Sequence, residues 1–334
     1  MNQKMIEFRR ELAKQFIEVL ESKPLTWTKD WIETNRNKAY NAKTKKSYRG
    51  INSFLLSIVS MQRGYTDPRF ATFNQIKSMG LSLENAKGKG IRIEYWMPRH
   101  ILTKEIITWS AYNQLTLEEK AEYMLLPKYS VVFNAAHIKG LEPLPQKEVN
   151  IIDEFQMKEY FEKLIKNMHI SVFEKGNDAY YNIIKDHIMI PKKTHFKSQY
   201  SFYSTLAHEL SHATLHPSRM NRKHDNYSIE ELRAEIASCI FCAENGLELD
   251  EEHMENHKAY IQDWISNIKE KPTILIESIK DAEKIVNYLE YQAELISKKD
   301  YEELDEQVLI IEENNKERPL EIQKNETFEY EKNF

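Results

Sequence analysis

The sequence predicts an α+β chain with a mixed, basic front domain and a rear domain built around a metal-binding helix. Three observations predict it. His208-Glu209-Leu210-Ser211-His212 sets two histidines four residues apart. Residues 23–104 are basic and aromatic, unlike the rest of the chain. Lys and Glu are plentiful while glycine occurs only 8 times in 334 residues, which favours helix.

Residues 1–22 carry Phe8, Leu12, Phe16, Val19 and Leu20 at helical spacing, so they read as an amphipathic helix rather than an export signal. Residues 23–141 form the basic domain. Sixteen Lys and Arg between Lys23 and Lys104 face five acids, a local excess of eleven positive charges inside a chain of net charge −5. Trp27, Trp31, Tyr40, Tyr48, Tyr65, Phe70 and Trp96 interleave with them. Cations that follow phosphates and π-faces that stack exposed bases are what single-stranded DNA binding requires. The residues singled out for it are Trp27, Trp31, Lys45, Tyr48, Arg49, Asn52, Tyr65, Arg69, Lys87 and Lys89. Arg49 and Asn52 open the apolar helix around Phe54, whose N-terminal amides would suit a phosphate. No helix-turn-helix or zinc-finger spacing supports duplex reading, and Lys87-Gly88-Lys89-Gly90 lacks the spacing of a nucleotide-phosphate loop, so no nucleotide cofactor is expected.

Strands are expected near Ile91–Trp96 and Tyr129–Asn134, with a helix over residues 115–125 opened by Thr116 and Glu119. Residues 142–150, with Pro143 and Pro145, read as a linker, and the rear domain runs over 151–299. A helix over 155–167 precedes short antiparallel strands at 170–173, 179–184 and 187–190. Helices follow at 200–215, 228–245, 252–269 and 274–299. Residues 300–334 hold twelve acids against four bases and read as a flexible acidic tail.

The helix at 200–215 carries the chemistry. Histidines four apart share one helical face about one turn, ~6 Å, apart, so both imidazoles can reach one ion. Glu209 between them is placed to take a proton from water, the zinc-hydrolase arrangement. A His2Glu site needs one more carboxylate. Glu231 and Glu235 share a face of the next helix; Glu231 is assigned as the ligand and Glu235 as the acceptor for a ligand histidine's other N–H, with the reverse as the alternative. Ser228 and Glu231 also match a capping box, and Glu230 is expected to face solvent. His216 lies two turns from His208 with no glycine to break the helix between them, and His224 sits in a polar loop; both read as surface histidines. Zn2+ is the expected ion, though cobalt, manganese or nickel suit the same ligands. Cys239 and Cys242 form a CxxC inside an apolar helical run and read as core thiols.

Several stretches together resemble the ArdC-type antirestriction proteins of plasmids and other mobile elements. They are the Trp27 and Trp31 region, Tyr48-Arg49-Gly50-Ile51-Asn52, Gly64 to Gln75, Lys87-Gly88-Lys89-Gly90, Tyr95-Trp96, Val132 to Ile138, residues 206–214 and residues 230–235. The resemblance covers roughly residues 5–295 and departs at Leu25-Thr26-Trp27, where the family carries Pro-Trp, and in the acidic C-terminal extension. It implies an N-terminal single-stranded-DNA-binding domain joined to a zincin-like metallopeptidase domain. It also implies that His208, His212 and an acid of 230–235 hold the metal, with Glu209 as general base.

The expectation is therefore a cytoplasmic zinc metallopeptidase of the HExxH…E, gluzincin-like kind that also grips single-stranded DNA, for instance the strand entering during conjugation. Its target would be a host restriction or defence protein. The alternatives are a non-enzymatic protection protein with a structural metal, and a protease regulator whose basic face meets an acidic protein. No run approaches the ~18 apolar residues of a membrane span, so no membrane partner is expected.

Overall fold

The computed structural model describes residues 3–22, 38–144, 153–223, 226–247, 258–302 and 304. Trp27, Trp31, His224, most of the 142–150 linker and nearly all of the acidic 300–334 segment lie outside these residues. Among the described residues no helix is long and apolar enough to cross a membrane.

The chain opens with α1 (Gln3–Ser22), whose apolar face buries Phe8, Leu12, Phe16 and Leu20. After β1 (Tyr40–Asn41) comes α2 (Gly50–Arg63), in which every residue from Phe54 to Ser60 is buried. Gly64 ends α2 in the left-handed region (φ 65°), where a side chain would be strained. β2 (Arg69–Thr72) leads into α3 (Phe73–Ser78), opened by a Thr72–Gln75 capping box, a device worth about 1 kcal/mol. β3 (Ser82–Leu83) precedes β4 (Ile91–His100), and two one-turn helices, α4 (Trp109–Tyr112) and α5 (Leu117–Lys120), precede β5 (Tyr123–Asn134). β4 pairs antiparallel with β5 along its whole length, Ile91 opposite Val132 to His100 opposite Tyr123. The sheet order is β1-β2-β5-β4, and β6 (Ile138–Lys139) pairs with β3.

Thr116 and Glu119 form the expected capping box, but α5 stops at Lys120 rather than continuing to 125. Residues from Tyr123 onward are drawn into the β4 ladder, whose hydrogen bonds outcompete a short solvated helix.

The rear half starts with α6 (Glu154–Asn167), then β7 (Ser171–Glu174), β8 (Tyr180–Asn182) and β9 (His187–Ile190). The three strands are not all antiparallel. β9 is central, antiparallel to β8 but parallel to β7. β9 carries the buried Ile188 and Ile190, so it takes the covered middle position and leaves β8 at an edge. Among the described residues the helices α7 (Gln199–Ala213), α8 (Tyr227–Glu244), α9 (Lys258–Glu270) and α10 (Thr273–Gln292) follow. The last helix ends seven residues before the expected 299, with Glu294 in the left-handed conformation (φ 61°). One apolar cluster runs from Phe8 in α1 through Phe54 in α2 and Leu210 in α7 to Ala293, so front and rear halves share a core.

Candidate metal centre

α7 is capped by Ser198, whose hydroxyl accepts from the Ser201 amide, and is buried along almost all its length. α8 lies against it, with Ala207 and Ala213 on one helix and Ala234 and Ala237 on the other fully buried. Small side chains let two helices approach closely. The approach brings His208 and His212 of α7 to Glu231 of α8, with one ligand-type atom from each lying within 4.8 Å of the others. His208 Nε2 is 3.1 Å from His212 Nε2 and 3.4 Å from Glu231 Oε2; His212 Nε2 is 3.6 Å from Glu231 Oε1. Exposure of His208, His212, Glu209, Glu230, Glu231 and Glu235 ranges from 1% to 9%, so bulk water does little to screen these charges.

The far side of each imidazole meets a carboxylate. His208 Nδ1 is 3.2 Å from Glu235 Oε2, and His212 Nδ1 is 3.3 Å from Glu230 Oε1. When each imidazole carries its proton on Nδ1, the carboxylate side, both Nε2 atoms face Glu231 as lone pairs, and three electron-pair donors then face one another. That arrangement is repulsive unless positive charge sits between them, and two imidazoles plus a carboxylate are the donor set of a catalytic zinc or related divalent site. The residues present therefore fit such a cation.

Protons on the imidazoles can supply the same positive charge. Burial alone would lower the pKa of His208, but hydrogen bonds with Glu231 and Glu235 raise it well above the usual histidine value. His212 is likewise raised, burial being outweighed by Glu230 and Glu231. Burial would push Glu231 up, yet hydrogen bonds from both histidines hold it far below the carboxylate range. The pocket is built to hold positive charge. Glu209 is the exception: burial raises its pKa despite the neighbouring histidines. A backbone hydrogen bond from Tyr181 in β8 reaches it, while its Oε2 is buried with no hydrogen-bond partner.

Glu230 was expected to face solvent and does not. It is buried, accepts from Arg222 at 2.7 and 3.0 Å, and stands behind His212. Burial would raise its pKa, but His212 and Arg222 lower it to about 2. Arg222 also donates to the Ser211 carbonyl and the Thr214 hydroxyl, which fixes the end of α7. Nothing in the spacing of Arg222 and Glu230 marks this pair. The capping box expected of Ser228 and Glu231 is absent: Asn226 caps α8, accepting from the Ile229 amide. Glu231 is thus left to face the histidines. Tyr227, also unmarked by sequence, hydrogen-bonds to Tyr260 and Glu231. His216 turns away, its Nδ1 2.7 Å from the Ser218 hydroxyl. Cys239 and Cys242 are buried in α8.

In the front half the predicted DNA-facing residues separate into two groups. Lys45, Arg49, Lys87 and Lys89 are exposed. Asn52 is spent internally: its Oδ1 accepts from the Glu94 amide at 2.9 Å and its amide donates to the Glu94 carbonyl. Arg69 is buried and forked onto Asp67. Tyr48 is half-buried on Phe70 and bonded to Asn41; the Tyr65 hydroxyl meets His137 Nε2 at 2.9 Å. Neither Asn52 nor Arg69 is placed to touch a phosphate, because burying either group requires pairing it inside the fold. The N-terminus of α2 is also not open to a phosphate, since the Gly50 amide donates to Glu283 Oε1 at 2.8 Å.

Comparison with known proteins gives two family matches. Residues 7–133 match the N-terminal domain of anti-restriction factor ArdC, and residues 159–281 match a zincin-like metallopeptidase domain. Two proteins named DNA primase TraC from Escherichia coli are 32% and 31% identical over 300 residues, covering 84% of this chain in each case. The chain spans only 27% and 20% of their lengths. An uncharacterised protein y4eC of Sinorhizobium fredii is 24% identical over 75% of the chain and 80% of its own length. The crystal structure of the antirestriction ArdC protein from the R388 plasmid is similar in its metal-free form, with TM-score 0.66, 25% identity, and coverage of 87% of this chain and 99% of that one. The Mn(II)-bound form gives TM-score 0.64 and 26% identity over 85% and 97%.

Proposed function

Because the chain belongs to the ArdC-type family, with an ArdC N-terminal domain followed by a zincin-like metallopeptidase domain, we propose that it is an antirestriction-type protein of a mobile element. In this reading it binds single-stranded DNA through its front half and hydrolyses a peptide bond at its rear. His208, His212 and Glu231 hold a divalent cation, zinc or manganese by donor type, and the solved relative described as Mn(II)-bound supports that range. The observation that carries the proposal is the convergence of these three donors beside a buried carboxylate, Glu209, with an unpartnered oxygen.

A cation bound there supplies a Lewis acid that polarises a carbonyl and lowers the pKa of water. Glu209 takes one proton from the attacking water and passes it to the leaving amine as the C–O bond forms and the C–N bond breaks. Burial raises its pKa, the direction that suits a group that must both accept and return a proton. Glu235 and Glu230 hold the two imidazoles by their Nδ1 atoms, so their Nε2 atoms stay aimed at the cation. β8, an edge strand packed on α7, is where an extended peptide would add as a further strand. Of the front-half residues singled out for DNA, Lys45, Arg49, Lys87 and Lys89 are the exposed cations that would meet a strand. The reading places the protein in the cytoplasm, where an incoming strand and a host restriction protein would both be met.

The test is metal content and peptide cleavage by the parent, His212→Ala and Glu209→Gln. The reading expects bound metal and cleavage in the parent, loss of both in His212→Ala, and retained metal without cleavage in Glu209→Gln. Equal cleavage by parent and Glu209→Gln overturns it.

The burial of the centre favours a second reading, in which the metal braces the two helices and DNA occupancy alone shields an incoming strand. Full protection of transferred DNA by Glu209→Gln, with loss on Arg49→Ala, would select that reading.

A further inference from the structure

The rear domain carries a surface that the metal centre does not use. In the β7-β9-β8 sheet, Val172, Tyr181, Ile188 and Ile190 alternate toward the core. The opposite face is left to Phe173 on β7, Tyr180 and Asn182 on β8, and His187 and Met189 on β9. Phe173 is 51% exposed and Tyr180 44%, large values for aromatic rings in regular strands. The His187 ring stands between them, 5.5 Å from Phe173 and 6.5 Å from Tyr180. With Lys175 and Lys185 at its rim they line a groove of about 370 Å³, and no carboxylate is among its lining residues. Among the described residues neither lysine ammonium pairs with an acid.

We propose that this sheet face is a second contact for single-stranded nucleic acid, on which bases stack against Phe173, Tyr180 and His187 while Lys175 and Lys185 meet the phosphates. Alternating strand positions present the rings on one side, as a stacking platform requires. Two lysines with no acid in the groove's lining favour a polyanion, and exposed rings on one sheet face offer bases a stacking surface. The platform lies outside the basic stretch of residues 23–104 and stands independently of DNA binding by the front half. Its consequence is a strand held on the same domain as the metal centre.

The test uses the full chain and a fluorescent oligothymidylate. Phe173→Ala with Tyr180→Ala is expected to weaken binding at least fivefold, since each stacked base is worth about 1–3 kcal/mol. Lys175→Gln with Lys185→Gln, two exposed changes that leave the core intact, is expected to lower the slope of log affinity against log salt by about 1.4. Photo-crosslinks from iodouracil-substituted strands should map to residues 173–187. Parental affinity and salt slope in both variants, with crosslinks confined to residues 38–144, would overturn the platform and leave the front-half reading standing. Crosslinks at 173–187 with none at 38–144 would do the reverse. Binding of polyglutamate by this face, without crosslinks to DNA there, would assign it to an acidic protein and also overturn the proposal.

Discussion

Gly50 and Glu283 stand 233 positions apart and meet: the Gly50 amide, at the first turn of α2, donates to Glu283 Oε1 of α10 at 2.8 Å. The carboxylate thereby satisfies a free N–H at the positive end of α2 and joins the front half to the rear. A Cβ at position 50 would come within 2.8 Å of Glu283 Oε2, and the backbone there has φ +52°. Gly50→Ala should therefore cost about 1–2 kcal/mol from the left-handed backbone alone, with the displaced carboxylate adding to it. Thermal unfolding of Gly50→Ala and Glu283→Ala would check this; an unchanged Tm for Gly50→Ala would remove the argument.

Glu209→Gln keeps the shape of the site and removes the proton carrier of the proposed mechanism. Hydrolysis of a peptide cleaved by the parent should fall about 10²–10⁴-fold, the usual worth of a general base, while metal content stays near the parent's. Steady-state kinetics paired with elemental analysis would separate the two effects.

Glu230 supports His212 from behind, held in turn by Arg222. Glu230→Ala should weaken metal affinity about 10–100-fold, whereas Glu231→Ala, which removes a donor, should weaken it more. Competition with a chromophoric chelator measures both. If Glu230→Ala binds metal as well as the parent, Glu230 does not orient the ligand.

Glu290 gives the shared core a pH dependence. Burial and then the neighbouring Glu244 raise its pKa to about 7, with Lys38 opposing. Its ordinary value is 4.5, so between pH 4.5 and 7 the folded state binds more protons than the unfolded one. Stability is therefore greatest below that window and is lost as pH rises through it, by about 3 kcal/mol at most. Urea unfolding from pH 5 to 8 should show this decline, and Glu290→Gln should flatten it. A parent whose stability climbs over that range would contradict the assignment.

Cys239 and Cys242 should not react with Ellman's reagent in native buffer. Burial is the first cause raising both thiols, and Glu235 adds to it, so thiolate is scarce as well as inaccessible. Both should react once the chain is unfolded. Rapid labelling of the native protein would show that α8 opens.

The periodic elements are legible in the sequence. The apolar spacing of residues 8–20 and 202–213 marked α1 and α7, because amphipathic burial is written locally. Strand direction was not legible: β7, β8 and β9 look alike in sequence, and only the central place of Ile188 and Ile190 makes β7 parallel to β9. Basic residues were legible as composition but not as surface. Arg69 reads like Lys45, yet one is forked onto Asp67 and the other is exposed.

The sequence by itself determined the α7 pair, His208 and His212 with Glu209 between them, since a helix places residues four apart on one face whatever surrounds it. It also put Glu231 and Glu235 on one face of the next helix. Only the tertiary structure decided which acid meets both Nε2 atoms and which stand behind, and it turned Glu230 inward to His212 and Arg222. The reason is geometric: side-chain partners across two helices depend on their separation and rotation. Those are set by how α7 and α8 pack on each other and on the shared core, not by any spacing along one chain segment.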